Sequence, residues 1–425
     1  MKNNFFFSAV SNFFKFFSGV VLVLVYARTL SPEQFGELSY VMTVAVVVGI
    51  IVDYGYNAYL PKESAGDLKM IESLVAKGIA IKLVLILLTM PALMLLYWMG
   101  AISGSLDQII TFCISAAFLA LGNIFLFPYR SLDRFQVESK YMMIYNIMLS
   151  ITVCVMALLV GDILWVGTTY LFCRMIFFWL AFNHFRQDFS FKLLSLASIW
   201  DWNLVIEAKR AWPYAIHGLI AILLTSVDTL ILRHHVDSAQ LGIYRAGVLF
   251  IVASSFLMVI FYEVLLPKFS IAVKGDRVNF ITIVQRYNWI IIGLGTIGAL
   301  VLYLLAEFIV ILAFGENMRD LIQYVPLFSL LIFMRFFGVI YNTLLTCSGN
   351  QNKRTLFLTI TVIFVVLLDL YLIPLYQIRG ALYSLILGYV ILYGLTILIT
   401  YREFGTLFLF PIGHGKTRIK ANGIK

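Results

Sequence analysis

The chain has 425 residues, 62% of them hydrophobic and only 12% charged, with a formal net charge of +9. That composition excludes an ordinary soluble globular domain. Apolar runs of about 20 residues, the length of a bilayer-crossing helix, recur along the whole chain. Runs this long and continuous suit helices and not the short alternating strands of a barrel.

The positive charge is not read as a nucleic-acid signal, because basic residues of membrane chains collect in cytoplasmic loops. Cys113, Cys154, Cys173 and Cys347 show no C-x-x-C spacing and are read as packing residues. The first apolar run, about 5–27, is long, carries Lys15 at its centre and lacks a small-residue cleavage site. It is read as a retained helix and not as a signal peptide.

After it comes the stretch Arg28-Thr29-Leu30-Ser31-Pro32-Glu33-Gln34-Phe35-Gly36, a short turn leading into the second run. A related stretch, His234-His235-Val236-Asp237-Ser238-Ala239-Gln240-Leu241-Gly242, lies 206 positions further on. The same offset carries Leu60-Pro61-Lys62 onto Leu266-Pro267-Lys268, so the chain is read as two related halves.

Further spans are predicted at 38–60, 79–99, 108–128, 141–161 and 163–183. The second half repeats the count at 211–232, 243–265, 287–312, 322–346, 356–374 and 380–401. Pro91 is expected to kink the third span, and Pro213 to open the seventh. With the N-terminus inside, 22 Lys and Arg fall on inner segments, 4 on outer turns and 5 within spans. The positive-inside rule then places both termini in the cytoplasm.

The fold class expected is an all-α polytopic membrane protein: twelve transmembrane helices in two six-helix lobes. An even number of spans per half gives parallel repeats, related by a pseudo-twofold along the membrane normal. The divisions are an N-terminal lobe 1–183, a cytoplasmic linker 184–210, a C-terminal lobe 211–401 and a basic tail 402–425. Trp200 and Trp202 suggest that part of the linker lies on the inner membrane surface.

No P-loop is present, and the adjacent His234 and His235 would point to different sides of a helix, so neither a nucleotide site nor a metal or cofactor is expected. The informative polar groups lie inside the spans. Ser8, Ser11, Asn12, Lys15, Ser18 and Gly19 recur on one face of the first span. His217, Ala221, Thr225 and Asp228 do so on the seventh, in register under the 206 offset. Ser39, Thr43, Asp53 and Asn57 share a side of the second span; Arg245, Ser255 and Glu263 share one of the eighth. Four polar faces at matching positions predict a water-filled cavity between the lobes.

Lys82, Arg174, Glu307, Arg335 and Asp369 are further intramembrane charges, each costing about 2.5–3.5 kcal/mol at a helix centre. Lys82 and Glu307, near span ends, are expected to snorkel. Arg174 and Arg335 fit either a structural ion pair or a ligand contact. Asp369 fits either an interhelical hydrogen bond or an ion-responsive carboxylate. Lys15, mid-stripe with no acid one turn away, is the main binding candidate, followed by Arg245. Asn12 and His217 join this set, and Asp228, Glu263, Asp369 and Asp53 are the ion-coupling candidates.

The run Leu30-Ser31-Pro32-Glu33-Gln34-Phe35-Gly36, followed by Asp53-Tyr54-Gly55, resembles the start of Wzx-type polysaccharide-export flippases. These belong to the multidrug/oligosaccharidyl-lipid/polysaccharide superfamily. Ile373-Pro374-Leu375-Tyr376-Gln377-Ile378-Arg379-Gly380-Ala381 resembles that family's turn between the eleventh and twelfth spans. The likeness extends over the whole chain in length, span number and repeat.

The resemblance implies a V-shaped cavity lined by the first, second, seventh and eighth spans of a bacterial inner-membrane flippase. It also implies an undecaprenyl-pyrophosphate-linked oligosaccharide as substrate, its pyrophosphate held on basic cavity residues. Lys15 and Arg245 are the residues placed for that role. Membrane lipids and the polymerase and chain-length regulator of the same pathway are the implied partners, with no nucleic acid. The lipid II branch carries arginines on the first helix where this chain has Lys15 alone, so the phosphate grip is expected to be shared. The competing readings are a drug/cation antiporter of the same superfamily and a membrane glycopolymer polymerase or ligase. The first should show an acidic, aromatic cavity; the second should need a large outer loop.

Overall fold

A computed structural model describes residues 2–64, 67–189, 202–273, 277–348 and 350–404. The first half holds α1 (Lys2–Thr29), α2 (Pro32–Asp53), α3 (Tyr56–Ser64), α4 (Leu68–Trp98), α5 (Leu106–Asn123), α6 (Pro128–Ser131), α7 (Phe135–Leu159) and α8 (Ile163–Asp188). The second holds α9 (Trp202–Leu232), α10 (Ser238–Ala272), α11 (Arg277–Leu304), α12 (Ala306–Phe314), α13 (Val325–Cys347), α14 (Gln351–Tyr376) and α15 (Ile378–Phe404), with a 3₁₀ stretch Glu316–Tyr324 before α13.

Twelve spans long and apolar enough to cross a membrane emerge among the described residues; α2 with α3, and α5 with α6, each make one. The protein is an all-α, multi-pass membrane protein. Most helices overrun the predicted apolar spans, because hydrogen bonding continues into polar flanks that hydropathy does not count. Thus α4 begins at Leu68 and α9 at Trp202, which leaves Pro213 inside a helix and not at its start. The middle of the linker (190–201, with Trp200), the Trp202 and Ser8 side chains and the tail beyond residue 404 lie outside the described residues.

The helix pairings of the first half recur in the second. α1 packs on α7 as α9 packs on α14, and α2 on α5 as α10 on α13. α5 packs on α8 as α13 on α15, and α7 on α8 as α14 on α15. Two lobes of like construction result, with α1, α2, α9 and α10 facing the gap between them. Apolar side chains such as Leu87, Leu95, Leu304 and Leu367 stay exposed on the outside, as a lipid-facing surface requires.

The repeated turn explains itself locally. Ser31 caps α2: its hydroxyl accepts from the Gln34 N–H (3.3 Å) while the Gln34 side chain accepts from the Ser31 N–H (3.1 Å), with Pro32 at the first helical position. Its repeat-mate Asp237 caps α10, accepting from the Gln240 N–H at 2.7 Å.

The glycines of these turns meet. A Cβ on Gly36 would lie 1.8 Å from the Ser238 carbonyl oxygen, and one on Gly242 would lie 2.3 Å from that of Pro32. Only glycine allows the two helix starts to cross this closely. The turns also reach across reciprocally. Arg28 donates to the Ala313 carbonyl (3.2 Å) and that of Leu312, while its repeat-mate His234 contacts the Ala101 carbonyl at 3.1 Å. Arg233 adds Ser103 at 3.0 Å and Glu37 at 3.8 Å. The lobes are therefore closed on each other at this end, the one that the positive-inside expectation would put outside.

Candidate functional site

Below that closure the lobes enclose a set of adjoining cavities. One, of about 470 Å³, is walled wholly by the first lobe, with Lys15, Asp53, Asn57, Arg130 and Arg174 among its lining. A second, of about 340 Å³, lies between α1 and α2 on one side and α9, α10, α13 and α15 on the other. Asp228, Arg245 and Arg335 line it. A third, of about 350 Å³, lies on the seam between α1 and α10 and is bordered by Asn12, Lys15 and Arg245. A fourth, of about 460 Å³, holds His217 with Asp53 and Asn57.

The cavities share walls: Lys15 borders the first and third, Arg245 the second and third, Asp53 and Asn57 the first and fourth. The four polar faces read from the sequence thus converge on one interior, with particular exceptions. Ser18 turns away from it: its hydroxyl lies 2.5 Å from that of Ser150, on α7. Asn12, Lys15 and Gly19 remain on the cavity side. Glu263 lines none of these four cavities.

The cations differ in how they are held. Lys15 has no hydrogen-bond or salt-bridge partner among the described residues and is open to the cavity. Arg245 has one long contact, 3.4 Å to the Thr229 hydroxyl. Arg174 is pinned by the Tyr145 hydroxyl (3.0 Å) and the Ser115 hydroxyl (3.1 Å) and sits 5.2 Å over the Tyr170 ring. Arg335 is pinned by Ser255 (2.9 Å) and the Ile251 carbonyl (3.3 Å), 6.0 Å over Tyr389. Among the described residues no carboxylate comes within 4.0 Å of either arginine, so neither is a structural ion pair.

The acids divide by lobe. Asp53 is bound to Lys82 at 2.7 Å, and Lys82, fully buried, also donates to the Ala120 carbonyl at 2.8 Å. Lys82 therefore does not snorkel. Its chain points inward because a carboxylate and a carbonyl there replace its lost hydration. Glu307 does reach the exposed Arg319, at 2.5 Å. In the second lobe Asp228 accepts from the Thr229 N–H (2.6 Å), the Thr229 hydroxyl (3.1 Å) and the Tyr244 hydroxyl. Asp369 is fully buried on the neighbouring α14, within electrostatic reach of Asp228 and near the Ser384 hydroxyl, which itself donates to the Gly380 carbonyl at 3.0 Å.

Arg130 was missed as a cavity residue, since its position reads as an inner loop. The chain breaks after Asn123, re-forms one turn at Pro128–Ser131, and so returns the guanidinium to the cavity wall. There Glu138 holds it at 2.6 Å and 2.5 Å, a bidentate pairing. Pro128 was the available signal. Glu207 was also missed. It is buried, accepts from the Tyr59 hydroxyl and lies 3.4 Å from Lys77, joining α9 to α3 and α4.

No curated protein matches the chain in sequence. Solved structures match in fold. A lipid II flippase, MurJ, in an inward closed conformation superposes with a TM-score of 0.73 at 15% identity, over 95% of this chain and 90% of that one. A MOP-superfamily transporter from Pyrococcus furiosus, described as having a binding pocket of reverse polarity, gives 0.58 at 13% identity over 94% of each chain. A Vibrio cholerae MATE transporter gives 0.52 at 14% identity, over 95% of this chain and 99% of that one. The family model described as polysaccharide biosynthesis protein matches residues 1–273. The chain belongs to that polysaccharide biosynthesis protein family and carries the twelve-span, two-lobed fold of the MOP-superfamily transporters.

Proposed function

We propose that this protein is a flippase that moves undecaprenyl-pyrophosphate-linked oligosaccharide repeat units from the inner to the outer leaflet of the bacterial cytoplasmic membrane. The observation that carries this reading is the pairing of Lys15 with Arg245 across one cavity on the α1–α10 seam. A large polar head cannot cross about 30 Å of hydrocarbon unaided, whereas a polyprenyl tail is at home in lipid. A cavity on a seam lets the head enter while the tail stays outside. Two lightly held cations at that entrance suit a pyrophosphate, which charge-assisted hydrogen bonds would grip. The drug/cation antiporter reading is disfavoured by the same residues, since a cationic drug would meet Lys15, Arg245, Arg174 and Arg335.

Both termini are cytoplasmic in this proposal, and the lobes 1–183 and 211–401 rock about the 184–210 joint. An ion gradient biases the motion, with Asp228 and Asp369 as the carboxylates that respond. Asp53 serves less well, being neutralised by Lys82; Glu263 has no place on the cavity wall. The test is transport in liposomes. Purified protein should carry labelled undecaprenyl-pyrophosphate oligosaccharide between leaflets. Lys15→Ala should abolish that movement at normal protein levels, and Lys15→Arg should retain part of it. Normal outer-leaflet repeat units in a strain lacking the protein, with a defect in polymer length alone, would favour the polymerase reading instead.

A further inference from the structure

One pair of repeat-related connections is unequal. The first half passes from α4 to α5 through residues 99–105 without a helix, whereas the second passes from α11 to α13 through α12 and the 3₁₀ stretch. Crossing the bilayer does not require α12. The span Phe280–Leu304 has 25 residues, and about 20 suffice. The apolar run predicted as one span at 287–312 is therefore two helices, broken at Leu305, and Gly315, at φ +87°, ends the second.

Local chemistry makes α12 and the 3₁₀ stretch one piece. Arg319 pairs with Glu307 at 2.5 Å and with Glu316 at 3.7 Å, above the buried Met318 and Leu321. That piece has two attachments. On one flank Phe314, buried with Val310 one turn before it, packs edge-on against Phe250 of α10, with centroids 5.6 Å apart. On the other flank α12 meets the end of α1, where Arg28 donates to the Leu312 carbonyl and to that of Ala313 at 3.2 Å. The last carbonyls of a helix lack intrahelical partners and carry partial negative charge, so a guanidinium suits them.

Both attachments lie on the α1–α10 seam. Arg28 follows Val23, which borders the seam cavity, by little more than one helical turn. α12 therefore bridges α10 to α1 across the end of the seam nearest the repeated turns. On the other seam His234, the repeat-mate of Arg28, reaches only the carbonyl of Ala101, in a connection without a helix. A polar head whose polyprenyl tail stays in lipid must leave the interior sideways, and this seam cannot open at that end while α12 spans it. We propose that α12 is a strap on the α1–α10 seam, fastened to α1 by Arg28. Its release from α1 is the step that lets a lipid-linked head group pass into the outer leaflet.

This inference rests on the flippase reading, and its test separates the two. A single cysteine at Val248, on the seam cavity, is labelled by an impermeant thiol reagent added outside, above the background of the four native cysteines. A second protein carries the cysteine at His217, in the cavity of the other seam. Arg28→Gln removes charge-assisted hydrogen bonds and should speed labelling at Val248 about tenfold while leaving that at His217 unchanged. Arg28→Lys keeps a charge at the end of α12 and should give a smaller increase. Arg28 is exposed, so neither variant disturbs the core. Unchanged labelling at Val248, or the same increase at both positions, would overturn the strap. Cysteines at Arg28 and Ala313, joined by a short bifunctional thiol reagent, should stop delivery of labelled glycolipid to the outer leaflet of liposomes and leave its binding intact. Delivery at the wild-type rate through the tethered protein would also overturn the strap. The expected labelling together with no delivery by the untethered wild type would overturn the flippase reading and leave α12 standing as a latch on the seam.

Discussion

The two seams between the lobes, α2 against α9 and α1 against α10, are equivalent under the repeat yet are built differently. The α2–α9 seam is held by close contacts, although the cavity of about 460 Å³ lies along it. Gly55, at φ +72°, allows the Tyr214 backbone to approach to where a Cβ would lie 2.5 Å from it, and Ile50 meets Gly218. Glu207, Tyr59 and Lys77 then tie the end away from the repeated turns together, and Lys62 donates to the Tyr214 hydroxyl at 2.7 Å. The α1–α10 seam also holds a cavity, of about 350 Å³, but is bridged by apolar rings: a stacked pair, Phe16 and Phe256 (centroids 4.7 Å apart), lies beside it. Repetition of sequence has fixed the helix order in each lobe. It has not fixed how each seam is held, because that depends on a few side chains outside the repeated turns.

The sharpest way to break this comparison is to lock each seam in turn. A cross-link between cysteines at Phe16 and Phe256 should abolish binding of the labelled glycolipid, whereas one between cysteines at Ile50 and Gly218 should leave binding near the wild-type level. Equal loss in both would mean that the seams are used alike. Next in size is the outer closure. Gly36→Leu would drive a side chain into the Ser238 backbone, and overpacking of this kind costs about 1–3 kcal/mol, enough to shift a closed–open equilibrium by about 5- to 150-fold. A single cysteine at Met42, which faces the cavities, should then react faster with an impermeant thiol reagent added outside; unchanged labelling would show that the glycine contact is not the closure.

Effects on stability, and not on transport, sharpen the contrast between the lobes. Lys82→Ala leaves Asp53 without its cation in a largely buried site, and breaking such a pair costs about 3–5 kcal/mol. Thermal unfolding should show the loss, and Asp53→Asn in the same protein should restore most of it. If the second change restores nothing, packing and not charge holds Lys82. Smallest is Glu207→Gln on the α2–α9 seam, which weakens charge-assisted hydrogen bonds to Tyr59 and Lys77 by about 1–3 kcal/mol. It should lower the unfolding temperature modestly and leave glycolipid affinity unchanged.

Composition and spacing alone determine much of this protein. Long apolar runs can satisfy their backbone only as helices, so twelve spans follow from counting, and the 206-residue offset predicts the paired turns. The converging faces of α1, α2, α9 and α10 were legible too, because a polar residue in a span is costly and helical spacing says which side it shares. Periodicity sets only an angle around the axis, with a tolerance wide enough to put Ser18 on the cavity when it packs on α7. It says nothing about what stands opposite. That Lys82 neutralises Asp53, that Arg174 and Arg335 are pinned by hydroxyls, that Arg130 turns back into the cavity, and that one seam is tied by polar contacts while its equivalent is bridged by aromatic rings are all matters of contact between residues 29 or more positions apart. Such contacts form only when packing brings the helices together, and there the tertiary structure alone decides.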